Sequence, residues 1–265
     1  MKFIKPLILF LSFNMLVSCG PSVYNNIRIT PAMGTGIWQE GREISQKTVK
    51  KVKVTVAFEK ISETDMVYDV TITNNGKTNM LFDPAKVFCN GYFELPATDT
   101  GTQTAGDALA VRKPDVVIPA TDPELMIKGV ETQKVNEKSS YESDQAANDA
   151  GCCIGTAGSI AADSDKERRE YEKMQEDAER DSVRRENEHM MRMQKLNDQT
   201  VYFEKETLRK TTVLPGQTIR GKVHMPVSLK VKLLILSIPL NDLQFDFVFG
   251  QMIEKPVQKQ NAGIQ

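Results

Sequence analysis

The chain has 265 residues, with 34 Lys+Arg against 35 Asp+Glu, a formal net charge of −1 and a sequence pI of about 6.2. That balance argues against a nucleic-acid binder, which carries a strongly basic face, and 4 Cys with 2 His exclude a Cys-rich zinc module or a dense disulfide scaffold. With 40% apolar and 26% charged residues a core can form, but part of the chain must be unusually polar.

Lys2 and Lys5 precede an apolar run from Leu7 to Val17 that only Ser12 and Asn14 interrupt. The run is too short to cross a hydrocarbon layer of about 30 Å and fits the apolar region of a secretory signal. It ends in Leu16-Val17-Ser18-Cys19-Gly20, which resembles the lipobox of bacterial lipoproteins. The resemblance implies cleavage between Ser18 and Cys19, a diacylglyceryl thioether on the Cys19 thiol, and acylation of the new amino group. It makes residues 1–18 a signal peptide and 19–44 a lipidated tether, with the membrane as partner through Cys19. Gly rather than Asp at position 20 points, by the same resemblance, to the outer membrane. Gly20–Tyr24 holds no acidic cluster, which favours the periplasmic face over the cell surface. No other stretch reaches 18 apolar residues, so no second span is expected.

Ile27-Arg28-Ile29 is a candidate short strand, and Trp38, the only Trp, is expected to be buried against a sheet edge. From Val52 the apolar period is two: Val52, Val54, Val56 and Phe58, then Tyr68, Val70 and Ile72. Asn74-Asn75-Gly76 reads as a tight turn. Met80-Leu81-Phe82, Val87-Phe88-Cys89 and Tyr92-Phe93 continue the strands. The pattern returns near Val201, with Thr207–Val213, a turn at Leu214-Pro215-Gly216-Gln217, a strand through Ile219 and Val223, an apolar run at Val231–Ile238 and alternating Phe245, Phe247 and Phe249. Residues 45–94 and 200–250 together have the length of one immunoglobulin-like domain. The expected fold is therefore mainly β: one such sandwich interrupted by an insertion at 95–199, with a frayed tail at 251–265. The strand leading to Asn74-Asn75-Gly76, the Leu214–Gln217 turn and the Gly221-Lys222-Val223 strand resemble immunoglobulin-like domains of bacterial lipoproteins, a resemblance that implies no catalytic residues.

Within the insertion, Val116-Val117-Ile118 adds one strand, and Asp122-Pro123-Glu124 starts a helix that Gly129 should keep short. Residues 163–199 lack Gly and Pro and hold 12 acids and 9 bases, a long helix with acid-first i,i+4 pairs such as Glu176–Arg180. At 1.5 Å per residue it spans about 55 Å and must project from a sandwich. Both ends of an insertion return to one sheet, so an antiparallel partner helix is expected within 137–162, making a hairpin. Gly151, Gly155 and Gly158 there suit either close helix packing or a flexible tip.

Cys89, Cys152 and Cys153 remain as disulfide partners or free thiols. His189 is expected on a solvated helix face and His224 in a structural role. Asp99, Asp107, Asp115 and Asp122 are too sparse for a calcium loop. Met190, Met191 and Met193 form an adaptable patch that serves either a partner or internal packing. No nucleophile elbow, phosphate loop or metal spacing stands out, so no catalytic residue, metal or cofactor is assigned and the expectation is a non-enzyme. The expected function is a lipid-anchored envelope protein acting as a structural or protein-interaction module, with 137–199 as the arm that contacts a partner or self-associates; no nucleic acid is expected. The rival is a glycan- or small-ligand-binding lipoprotein using loops 95–122 with Trp38, Tyr92 and Phe93 as aromatic platforms.

Overall fold

The computed structural model describes residues 27–32, 36–39, 41–62, 65–95, 112–160 and 164–253, with the side chains of 149–160 left aside. Cys19 and the lipobox lie outside the described residues, as do the side chains of Cys152 and Cys153.

The strands form two antiparallel sheets. One runs β10 (Thr218–Pro226), β5 (Asp65–Asn74), β4 (Val52–Ser62), β3 (Arg42–Val49) and β2 (Ile37–Gln39). The other runs β1 (Ile27–Pro31), β12 (Leu243–Ile253), β11 (Leu233–Leu240), β6 (Met80–Phe82) and β9 (Thr211–Val213). The far edge of β11 is shared. β7 (Phe88–Tyr92) takes Leu233–Ser237, β6 takes Leu240, and β8 (Val116–Pro119) adds outside β7. A single 3-10 turn at Pro84–Lys86, capped by Asp83, steps the chain from β6 to β7.

The period of two has its expected cause. Val52, Val54, Val56, Tyr68, Val70 and Ile72 of one sheet and Leu234, Leu236, Phe245, Phe247 and Phe249 of the other fill one core. Tyr68 meets Phe249 across the layers with ring centroids 5.3 Å apart. Gly91 is required on β7, because a Cβ there would lie 2.8 Å from both Val116 and Val231. The Leu214–Gln217 turn is closed by Gln217 N donating to Leu214 O at 3.0 Å, with Gly216 at φ +79°.

Several expectations need correction. The sheets reach into the stretch read as a tether, since β1, β2 and the start of β3 lie within 27–44. Trp38 is not buried: it stands on the edge strand β2 and is 71% exposed. Asn74-Asn75-Gly76 is not a hairpin turn but the crossing from β5 in one sheet to β6 in the other. Buried Asn74 fixes it, donating from Nδ2 to Thr78 O at 2.8 Å and Val213 O at 2.9 Å and accepting from Gly76 N at 3.0 Å. The tail does not fray at 251, because β12 continues to Ile253 opposite Ile27 and Gln251 is buried.

The helical region also differs. α1 spans Pro123–Ile160 and α2 spans Asp165–Glu206, so the helix begun at Asp122-Pro123 runs on unbroken through the stretch expected to hold a separate partner helix, and the second helix ends later than expected. Asp122 caps α1, its Oδ1 accepting from Glu124 N at 3.0 Å. Gly129 does not stop it. The roughly 1 kcal/mol that Gly costs against Ala in a helix is offset where Ile127 and Val130 are buried on either side. Ser164 and Glu167 form a reciprocal capping box at the start of α2.

Candidate functional site

The two helices pack against each other as an antiparallel arm between β8 and β9. At 1.5 Å per residue they measure about 57 and 63 Å. The α1 residues turned to the seam step by three and four: Ile127, Val130, Lys134, Glu137 and Tyr141. Arg185, His189, Met193, Leu196, Thr200 and Phe203 answer from α2. The seam is apolar near the β body and becomes polar outward, and α2 holds no buried residue. A seam of that kind holds the helices together weakly and leaves nearly all their surface in water.

Midway along the seam, Glu137 accepts from Arg192 Nε at 2.7 Å and lies 3.0 Å from His189 Nδ1. His189 stacks on Tyr141, with centroids 4.1 Å apart. The Arg192 and His189 hydrogen bonds hold the Glu137 carboxyl below its ordinary range. His189, expected on a solvated face, is therefore a seam residue, its side chain 15% exposed. Beside this cluster an open groove of about 740 Å³ runs between Leu125, Gly129 and Glu137 on α1 and Arg192, Leu196 and Phe203 on α2. Met190 and Met191 point away and are 62% and 64% exposed, whereas Met193 faces the seam.

The arm is rooted at two places. Arg209, just past α2, grips Glu124 in the first turn of α1 through bonds of 2.5 and 2.8 Å. At the second, His224 on β10 lies under the edges of Tyr202 and Phe203, with centroids 5.9 and 5.8 Å away. Burial, then Lys60, pushes the His224 pKa down to about 4. Its Nε2, the Tyr202 hydroxyl and the Thr207 hydroxyl are buried there without a hydrogen-bond partner among the described residues. His224 is thus held neutral at the foot of the arm, in keeping with a structural role.

On the outer face of the β10–β2 sheet, buried Asp69 takes Arg220 in two bonds of 3.0 and 2.6 Å and Arg42 at 3.1 Å, with Lys222 at 3.5 Å. Burial raises its pKa, but Arg220, Lys222 and Arg42 outweigh that and hold it below the ordinary value. Lys222 also bonds Glu59. These charges saturate one another and act as a polar clasp across β3, β5 and β10.

Cys89 is a free thiol in the core, and burial pushes its pKa far above the ordinary range. It is a packing residue rather than a nucleophile. Of the aromatic platforms, Tyr92 is buried under Arg112 and Phe93 is 36% exposed, which leaves Trp38 as the one broadly exposed ring of the three. Most of loop 95–122 that the rival reading needs, residues 96–111, lies outside the described residues. Asp115 holds Phe93 N at 2.8 Å and Asp122 is the α1 cap, so both serve the fold. Among the described residues no cluster of three metal-ligating side chains occurs, and no helix is long and apolar enough to cross a membrane.

Sequence reasoning missed the Glu124–Arg209 clamp and the Glu137–His189–Arg192 cluster. Their partners lie 52 to 85 positions apart, and only a first helix carried unbroken past Gly129 would have aligned them. No protein-family model, curated protein or solved structure is significantly similar to this chain.

Proposed function

We propose that this is a lipid-anchored envelope protein in which an immunoglobulin-like β body mounts a helical arm that contacts a protein partner. The arm carries the reading. A helix of 42 residues with no buried side chain contributes little to its own fold, because helical stability comes mainly from packing an apolar face. What remains for it is presentation of surface well beyond the body. The anchor rests on the basic start, the apolar run and Leu16-Val17-Ser18-Cys19, with outer-membrane attachment on the periplasmic face. The immunoglobulin-like assignment is supported by two antiparallel sheets around one core and by the crossing at Asn74.

Two experiments test it. Radiolabelled palmitate should enter the wild-type product and not Cys19→Ala; absence from both would remove the anchor. Photo-cross-linkers placed along α1 and α2 in intact cells should capture a discrete protein. Capture by probes on the outer sheet faces but by none on the arm would refute the arm's role.

A further inference from the structure

The β3–β4 hairpin turns on Lys50 and Lys51, at φ +47° and +68°, between the paired Val49 and Val52. A two-residue loop with both φ positive is the place of Asn-Gly or Asp-Gly, since a Cβ with a long side chain is sterically penalised there. The chain uses a suitable residue at another turn: Asn241, at φ +52°, starts the β11–β12 turn. The backbone N–H of Asn75 donates to Lys51 O at 3.0 Å and helps fix the lysine turn. The lysines are thus held where local backbone preference opposes them, and a strained turn that persists calls for a functional reason.

Lys53 and Lys77 are exposed beside the same turn, while Lys47 lies over the Phe247 ring at 5.9 Å, and Lys50 pairs with Asp242 at 3.4 Å in an ion pair whose members are 70% and 76% exposed. Lys50, Lys51, Lys53 and Lys77 therefore outweigh Asp242 at this turn. The root of the arm is elsewhere. Lys60 lies over Tyr202, and nine residues along β4 from Lys51 is about 30 Å of strand.

The arm has the opposite charge, and only in its outer half. Residues 137–148 and 164–181, the part of the outer half whose side chains are described, hold 11 acids and 6 bases, a net of −5, whereas 123–136 with 182–206 hold 7 of each. Two outer halves side by side repel. An outer half against the lysine turn of another molecule attracts, and that turn lies far enough from its own arm to be reached.

We infer that the acidic outer half of the arm docks on the Lys50–Lys51 turn of a second copy of this chain, joining copies head to tail. The inference rests on the reading of the arm as a contact element and names its partner. Such a contact joins different surfaces of the two copies, so it closes into a ring of two or more molecules where its rotation allows and otherwise propagates into a chain.

The test mixes ¹⁴N- and ¹⁵N-labelled full-length protein in mild detergent and applies a carbodiimide, which joins amines to carboxylates in direct contact. Mixed-isotope links from Lys50, Lys51 or Lys77 to acids within 137–148 or 164–181 are expected. They should fall at least tenfold in about 0.5 M salt, where the Debye length shrinks to roughly 4 Å. Lys50→Asn with Lys51→Gly supplies the residues the turn prefers, so this variant should melt no lower than wild type while its sedimentation shows loss of the higher species. Lys50→Arg with Lys51→Arg should retain them. Absence of mixed-isotope links, or assembly unchanged in the Asn-Gly variant, overturns the inference. If the arm instead links to other envelope proteins and never to the lysine turn, the contact reading stands and this inference falls; an arm that links to nothing removes both.

Discussion

Glu124 and Arg209 close the arm at its root: the guanidinium of Arg209, three residues past the end of α2, lies bidentate on a carboxylate in the first turn of α1, 85 positions away. The pair is half exposed, at 49% and 56%, so its role is geometric rather than energetic. Arg209→Ala should leave the melting temperature nearly unchanged and speed amide exchange in the first turns of α1. Hydrogen-exchange mass spectrometry of residues 123–135 reads this directly, and unchanged exchange would show that the clamp does not hold the root.

Asn74 is the energetic counterpart. It is fully buried and bonds three backbone groups, two in the β5–β6 crossing and one at the end of β9. Asn74→Ala strands those groups, and a loss of about 2–4 kcal/mol is expected from urea unfolding, at 1–3 kcal/mol for a buried group left unsatisfied. A loss under about 0.5 kcal/mol would mean that the crossing is held by its neighbours.

The pH dependence follows from His224. Its pKa is about 4 in the folded protein, against an ordinary value of 6.5, so between these values the unfolded chain binds more protons. The contribution is complete above about pH 6.5 and declines as pH falls towards 4, by at most about 3 kcal/mol at 1.36 kcal/mol per unit. Asp69, held low by its cations after burial is offset, extends the loss as pH falls further. His224→Phe should flatten the urea midpoint between pH 6.5 and 4 and leave the steeper acid limb, which belongs to carboxylates.

The polar seam sets a further expectation. Replacing Glu137 and His189 together by Leu continues the apolar line of Ile127, Val130 and Leu196 along spacing that already suits it. Exchange should slow along both helices around these positions, because paired charges at a packed seam are often weaker than apolar side chains of similar size. Faster exchange would show that the Glu137–His189–Arg192 cluster specifies the pairing.

Cys89 gives a simple check on the core. Peptide mapping after thiol alkylation of native protein should find it unmodified, and denaturant should expose it together with loss of β signal. Rapid native modification would contradict its burial.

How much of this was legible in the sequence depends on the range of the interactions. Alternation at Val52–Val56, Tyr68–Ile72 and Phe245–Phe249 located core strands correctly, because a sheet with one buried face writes itself as period two. The capping signature at Asp122-Pro123 was legible too, but the strength of Gly129 as a stop was overestimated: its cost is about 1 kcal/mol and tertiary burial exceeds it. Trp38 was misplaced because bulk alone does not say whether an edge strand is covered. The Lys50–Lys51 turn left no local signal, since its residues contradict the backbone they adopt. His189 sits in a charged run that looks solvated until a second helix is set beside it.

The central claim is that the arm is the contact surface and the β body its mount. Hydrogen exchange on the full-length protein, compared between isolated envelopes and detergent solution, tests it most directly. The account predicts that amides of 137–181 gain protection in envelopes while those of β4, β5, β11 and β12 stay the same. Protection gained on the sheet faces, with the arm unchanged, would contradict it.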